Sequence, residues 1–381
     1  MVAAETTSIE RGRLDWVGAA RELGPRFAAR AAAHDSTDAF VAENYRELRE
    51  RRMFSAGVPS ELGGGGASHA ELATMLRVLA QHCGSTALAL AMHTHQVAIP
   101  AWRWRHEGAP VEPFLRRLAA EELILVSSGG SDWLAGSGRA DKIAGGYRVT
   151  ARKVFASGSP VGDLFMTMAV HDDPESGPTV LHFAVPFGAA GVTVQDNWHT
   201  LGMRGTGSHD VVLDDVFVPA GAITVRRPAG RWSPAWHIVA TIALPLILSG
   251  YVGIAEAARA LALRQAESRR QDPGTQELVG TLETELATAR MALRQMLDAA
   301  ASGHMSPETT NDVLIGRTVA GGAAIRAVDI AMEVAGGAGF FRDLGLERLF
   351  RDVQGARYHP LRGSAQRRYS GRLALGLDIN G

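Results

Sequence analysis

RDVQGARYHPLRG, residues 351–363, follows the glycine-rich stretch AGGAGFF at residues 335–341 near the end of a helical region. It places an Arg-Asp pair, a histidine before a proline and an arginine before a glycine beside backbone that glycine leaves free to turn. Titratable side chains next to flexible backbone suit a catalytic constellation on a scaffold. They suit equally a helix end, a surface ion pair and a turn. The remainder of the chain has to choose between the two.

The 381 residues allow two or three domains around a large core. A hydrophobic fraction of 46% and a charged fraction of 21% place the chain among soluble globular proteins. A formal net charge of -1, with no basic run interleaved with aromatics, argues against a nucleic-acid partner. The single cysteine, Cys83, excludes an intrachain disulfide and a cysteine-based metal site. No HxxxH or HExxH spacing occurs, so no metal is expected. The N-terminus carries no charged-then-apolar leader, and the longest apolar run, near residues 238–248, is shorter than a bilayer span. A soluble, cytoplasmic protein without a membrane partner is expected.

Hydrophobic periodicity divides the chain in three. Residues 19–34 and 38–54 carry apolar positions at helical spacing. After VPSELGGGG, Ser68 and Glu71 form a capping-box pattern that opens a helix running to about residue 82. Another helix, from Ser85, carries His93, which suits either a polar turn of a helix or a substrate pocket. Near Ile124 the period shortens. Residues 123–127, 147–151, 154–157, 164–170, 179–185, 192–195 and 209–218 read as short strands punctuated by Gly, Asp and Pro. Such spacing predicts a compact antiparallel barrel or sandwich. From residue 240 the helical period returns through residues 240–265, 275–301 and 307–336, as in an antiparallel bundle. The predicted architecture is α+β: an N-terminal helical domain (1–122), a middle β domain (123–228) and a C-terminal four-helix bundle (229–381). No GxGxxG after a strand and no Walker loop is present, so no Rossmann or P-loop site is indicated.

That order, with its punctuation, resembles the acyl-CoA dehydrogenase superfamily of flavoproteins. The segments that carry the resemblance are Val58-Pro59 with Gly63-Gly64, Gly130-Ser131-Asp132, Lys153 to Gly158, Leu201 to Ser208 running on to Asp215 and Val218-Pro219, Gly336 to Phe340, and Arg351-Asp352. The resemblance implies a flavin, FAD or FMN. Ser128, Ser131, Phe155 and Ser157 are implied at the isoalloxazine, with Ser157 near N5. Gly336, Gly337 and Gly339 are implied at a neighbouring subunit's cofactor, hence a homo-oligomer, tetramer or dimer. Taken alone, Ser157 also fits a turn serine, and the glycines fit a helix C-cap. The usual pyrophosphate-binding R-x-x-F-G is reduced to SRRQD at residues 268–272, where Arg269 remains available.

The chain departs from the family where a dehydrogenase keeps its base. Gly363-Ser-Ala-Gln366 resembles the run that usually follows a glutamate, and Arg362 stands before it. A guanidinium cannot take a proton. The other family position for the base falls near Ala243, and the ligand-anchoring Asp and Arg fall on Thr241 and Leu244. Among the carboxylates, Glu122, Asp132 and Glu256 are poor substitutes. The oxygenase branch resembles this chain better, because its R-D is followed seven residues later by histidine, as Asp352 is by His359. There His359 would accept a substrate proton or hydrogen-bond the distal oxygen of a flavin C4a-hydroperoxide. Alternatively it caps a turn. Arg362 would face an anionic substrate or close an ion pair. The expected function is a flavin-dependent monooxygenase acting on a small aromatic or amine substrate, supplied by a separate flavin reductase. An acyl-CoA or acyl-carrier-protein dehydrogenase with a relocated base is the alternative, and a non-catalytic binding protein the third reading.

Overall fold

The structure is a computed structural model that describes residues 14–128, 130 and 133–381. Five helices come first: α1 (Trp16–Thr37), α2 (Ala42–Glu50), α3 (His69–Ala80), α4 (Gly84–Glu107) and α5 (Glu112–Glu121). The capping box forms as written: Ser68 Oγ accepts the Glu71 N–H, and the Glu71 carboxylate accepts the Ser68 N–H at 2.8 Å.

The middle of the chain holds eight strands: β1 (Leu125–Ser127), β2 (Arg139–Ile143), β3 (Gly146–Lys153), β4 (Leu164–Asp173), β5 (Gly177–Pro186), β6 (Val192–Val194), β7 (Val211–Pro219) and β8 (Val225–Pro228). The sheet runs β6-β7-β3-β2-β4-β5-β8, with β1 added beside β4. Most pairings are antiparallel; β1 and the first residue of β2 run parallel to β4, so the sheet is mixed. Residues 154–157 are not a strand. Phe155 adopts φ +58°, a left-handed conformation that a pleated strand does not accommodate, and the chain turns there. Two strands were not expected. RADKI in β2 exposes four of its five residues, and VRRP in β8 carries two arginines and a proline, so neither has the apolar alternation that marks a strand.

The C-terminal region is α6 (Pro234–Ala266), α7 (Pro273–Ala301), α8 (Pro307–Ala335), α9 (Leu346–Val353) and α10 (Gly363–Ala374). Short connections between α6, α7 and α8 make them antiparallel neighbours, and α9 and α10 pack on them to complete the bundle. α6 begins six residues before residue 240, where the helical period was expected to return. With its following turn it is the one helix among the described residues long and apolar enough to cross a membrane. In this fold 94% of its most apolar window is buried, which is the position of a core helix.

One hydrophobic core spans α1, α3, α4 and α6–α9, so the two helical regions, separated in sequence by the β domain, form one body. The sheet keeps its own core around Phe165, Leu181 and Leu213. α6 lies close on α3 at Gly253, where a Cβ would lie 2.2 Å from the Arg77 carbonyl oxygen of α3. Gly250, one turn earlier, has nothing within 4 Å of that position. Gly253→Ala is therefore expected to lower unfolding free energy by roughly 1–3 kcal/mol through overpacking. Gly250→Ala should raise it by roughly 0.5–1 kcal/mol through helix propensity. Urea unfolding of the two variants checks the opposite signs.

Candidate active site

The Arg-Asp pair sits on α9 and welds three parts of the chain together. Asp352 is 3% exposed, and its Oδ1 accepts the Met203 N–H at 2.5 Å. Burial pushes its carboxyl up to about 6, against the Met203 bond that favours the anion. Met203 holds φ +56°, so the loop that carries it is bent into an otherwise disfavoured shape. Arg351 bonds Asp35 of α1 at 2.6 Å, Glu347 at 2.7 Å and the Leu201 carbonyl at 3.0 Å, and these partners hold its guanidinium firmly protonated. A Cβ on Gly202 would lie 2.3 Å from the Arg351 carbonyl oxygen, so only glycine lets this loop lie on α9.

From Met203 a chain of hydroxyls leads to Ser157. The Thr206 hydroxyl donates to the Met203 carbonyl at 2.9 Å. Ser208 Oγ is 2.6 Å from Thr206 Oγ1 and 2.7 Å from Ser157 Oγ, and all three residues are buried. Each hydroxyl has one proton. With the Thr206 proton committed to Met203, Ser208 donates to Thr206 and Ser157 donates to Ser208. Ser157 is left as a hydrogen-bond acceptor. Beside it Phe155, 46% exposed, meets the Trp198 ring edge-on at 5.6 Å, and Trp198 Nε1 donates to the same Met203 carbonyl at 3.1 Å.

His359 lies in the segment that follows α9. Its Nε2 lies 2.6 Å from the Tyr251 hydroxyl of α6. The Arg317 guanidinium, from α8, donates to the His359 carbonyl and, at 3.1 Å, to that of Ala356. Burial and the Arg317 charge push the imidazole down to about 3, so it is neutral at physiological pH. A Cβ on Gly355 would sit 2.7 Å from the Tyr251 hydroxyl and 3.4 Å from Met203 Cγ, which ties the imidazole side to the hydroxyl side. Gly130 closes on the same segment, since its Cβ would lie 2.5 Å from Pro360 Cδ. Gly130 thus meets the segment that carries His359, and Met203 links that segment to the hydroxyl chain that ends at Ser157.

Other predicted site residues fall differently. Ser128 is partly exposed at the end of β1, its N–H bonded to the Met166 carbonyl at 3.1 Å, and Ser131 lies outside the described residues. His93 is spent on the scaffold. It is 1% exposed, with Nε2 2.8 Å from the Phe54 carbonyl and Nδ1 accepting the Leu125 N–H at 3.0 Å, and burial pushes it to about 4. Neither ring nitrogen is left for a substrate, which corrects the substrate assignment. Arg362 is exposed at the head of α10 and makes no ion pair among the described residues, so the ion-pair reading gives way. Arg269 donates to the Val334 carbonyl at 2.6 Å, next to Gly336, which caps α8 at φ +62°. Gly337 is open, whereas Gly339 is buried against Ala335. This second group gathers at the end of α8, and no contact joins it to Ser157 among the described residues. Of the substitute bases, Glu122 holds Ser55, with burial raising its carboxyl, and Glu256 is taken by Arg77, Arg290 and Gln81.

Tyr251 and Gly355 were missed. The available signal was a tyrosine in an otherwise apolar helix, because a buried phenol needs a partner.

Models of the acyl-CoA dehydrogenase N-terminal, middle and C-terminal domains match residues 18–122, 127–216 and 245–360. The chain is 31% identical to L-evernosamine nitrososynthase of a Micromonospora species, over 93% of this chain and 88% of that one. It is 27% identical to cyclohex-1-ene-1-carbonyl-CoA dehydrogenase of Geobacter metallireducens, over 94% and 95%. Among solved structures it is similar to KijD3 in complex with FMN and dTDP-3-amino-2,3,6-trideoxy-4-keto-3-methyl-D-glucose, with a TM-score of 0.85 and 29% identity over 95% of this chain and 96% of that chain.

Asp352 gives the site a pH signature. A carboxyl raised in the fold from 3.8 to about 6 adds stability below the lower value and loses it as pH rises through the upper one. Asp352→Asn keeps an acceptor for Met203 without the buried charge. The wild type is therefore expected to gain roughly 2 kcal/mol on Asp352→Asn as pH falls from 7 to 4. Urea unfolding of both proteins across that range checks the sign.

Proposed function

The chain belongs to the acyl-CoA dehydrogenase family, and within it we propose a monooxygenase that uses reduced flavin and O2 to oxidise the nitrogen of an amino-bearing small molecule. The observation that carries this reading is a neutral, half-buried His359 bonded to Tyr251, together with Arg362 and Ala243 at the two positions where a dehydrogenase keeps its carboxylate. Similarity to a nitrososynthase and to an FMN-bound protein that holds an amino-sugar nucleotide supports the amine over the aromatic substrate.

The residues present fit a flavin. Phe155 offers an exposed ring face and Ser157 an acceptor oxygen, on a turn pinned by Ala156 N–H to His209 and Gly158 N–H to Thr206. Reduced flavin, when bound, activates O2 and delivers one oxygen atom. Ser157 would receive an N–H donor, which the reduced ring has at N5 and the oxidised ring lacks. Ser128 would lie along the ring edge. FMN is favoured over FAD by the similarity to an FMN-bound structure, and Arg269, exposed with one N–H given to Val334, stays available to a phosphate. Gly336 and Gly337 would meet a neighbouring copy's cofactor in a homodimer or homotetramer. His359 would hold a hydrogen bond at the reacting oxygen, and exposed Arg362 would attract an anionic group of the substrate. A separate reductase would supply reduced flavin.

The dehydrogenase reading keeps some support from the 27% identical relative. It requires a base that the engaged Glu122 and Glu256 do not provide.

The test is a coupled assay with NADH, a flavin reductase, FMN, O2 and a dTDP-amino sugar, read by mass spectrometry. A product heavier by one oxygen is expected. His359→Ala should cut its formation roughly 10²-fold and raise hydrogen peroxide release. Anaerobic bleaching of bound FAD by an acyl-CoA, with no oxygenated product, would overturn the proposal.

A further inference from the structure

The hydrogen bond between Tyr251 and His359 has a direction, and its surroundings set it. Tyr251 is fully buried in α6, and its hydroxyl has one partner among the described residues, His359 Nε2 at 2.6 Å. Burial pushes the phenol upward and the Asp352 charge adds to that, so the O–H keeps its proton at neutral pH. A buried hydroxyl that keeps its proton donates it. The groups facing the imidazole are Tyr251, Arg317 and His95, and the cationic Arg317 opposes a second proton on the ring. His95 cannot supply one: its Nδ1 is 3.0 Å from the Ala91 carbonyl and its Nε2 meets Gln96 at 3.0 Å. A neutral imidazole that accepts at Nε2 carries its proton at Nδ1.

The segment is built to hold this arrangement. Arg317 fixes the main chain through the carbonyls of Ala356 and His359. Gly355 leaves space for the phenol, since any larger residue would bring a carbon to 2.7 Å from its oxygen. The rings meet at 5.3 Å and 61°, edge toward face.

We propose that Tyr251 is a positioning residue: its hydroxyl holds His359 as the Nδ1–H tautomer, so the imidazole enters the reaction as a hydrogen-bond donor and not as a proton acceptor. The tautomer stands on the Tyr251–His359 geometry, with burial and Arg317 keeping the pair neutral, while its part in turnover rests on the monooxygenase reading. Of the two roles open to His359 from sequence, this selects hydrogen bonding to the reacting oxygen and leaves deprotonation of the substrate to solvent.

Protein labelled with 15N-histidine, full length and free of flavin, tests the assignment at neutral pH. Long-range 1H–15N correlation spectra distinguish the tautomers, and His359→Gln identifies the signal. The wild type is expected to show Nδ1 protonated and Nε2 bare. Tyr251→Phe should shift the ring to a mixture of tautomers, and Gly355→Ala should do the same with the hydroxyl still present, which covers the case where Tyr251→Phe folds poorly. In the coupled assay, Tyr251→Phe should lower kcat roughly tenfold, the worth of one hydrogen bond, with KM unchanged. An Nε2–H signal in the wild type would overturn the proposal, as would a tautomer unmoved in both variants. A shifted tautomer with unchanged kcat would overturn the positioning role. An Nδ1–H signal lost in Tyr251→Phe, in a protein that oxidises no amine, would keep the tautomer and sink the functional reading instead.

Discussion

The bond from the Met203 N–H to the buried Asp352 carboxylate is the constraint on which the site depends. Met203 carries the carbonyl that receives Thr206 and Trp198, so the polarity of the hydroxyl chain and the position of Phe155 both start from it. Asp352 supplies the bond to the Met203 N–H that helps hold this residue in its left-handed conformation, which costs roughly 1–2 kcal/mol in an L-residue. Arg351, the neighbour of Asp352, fastens the same loop to α1. A two-residue element on α9 therefore aligns the β domain with both helical regions. Its role is architectural, and the chemistry lies on either side of it.

On one side the hydroxyl chain ends in an acceptor at Ser157, and on the other the imidazole of His359 is kept neutral by burial and by Arg317. In the proposed monooxygenase, Ser157 would meet the N–H that reduced flavin carries at N5, and His359 would hold a hydrogen bond at the reacting oxygen. A dehydrogenase keeps a carboxylate base, and at the two positions where the family keeps it this chain has Arg362 and Ala243.

Much of this was legible in the sequence. The Ser68–Glu71 box, the shift of period at Ile124 and the glycine turn before Arg351-Asp352 each follow from local rules, and they led to the family. His359 and Ser157 were found through motifs. What was not legible depends on burial and tertiary pairing. His93 and His359 look alike as letters, yet one has both nitrogens bonded to main chain and the other meets a tyrosine over a hundred residues away. β2 and β8 are strands because neighbours supply their pairing, against a polar sequence. The single core shared by both helical regions could not be read from periodicity, which is blind to long-range contact.

The most direct test of the central claim is the affinity of the protein for FMN in its two oxidation states, measured by anaerobic fluorescence titration. With Ser157 held as an acceptor, reduced FMN should bind at least roughly tenfold more tightly than oxidised FMN, one hydrogen bond's worth. Ser208→Ala, which frees the Ser157 proton to be donated, should narrow that ratio. Equal or tighter binding of the oxidised form by the wild type would contradict the account.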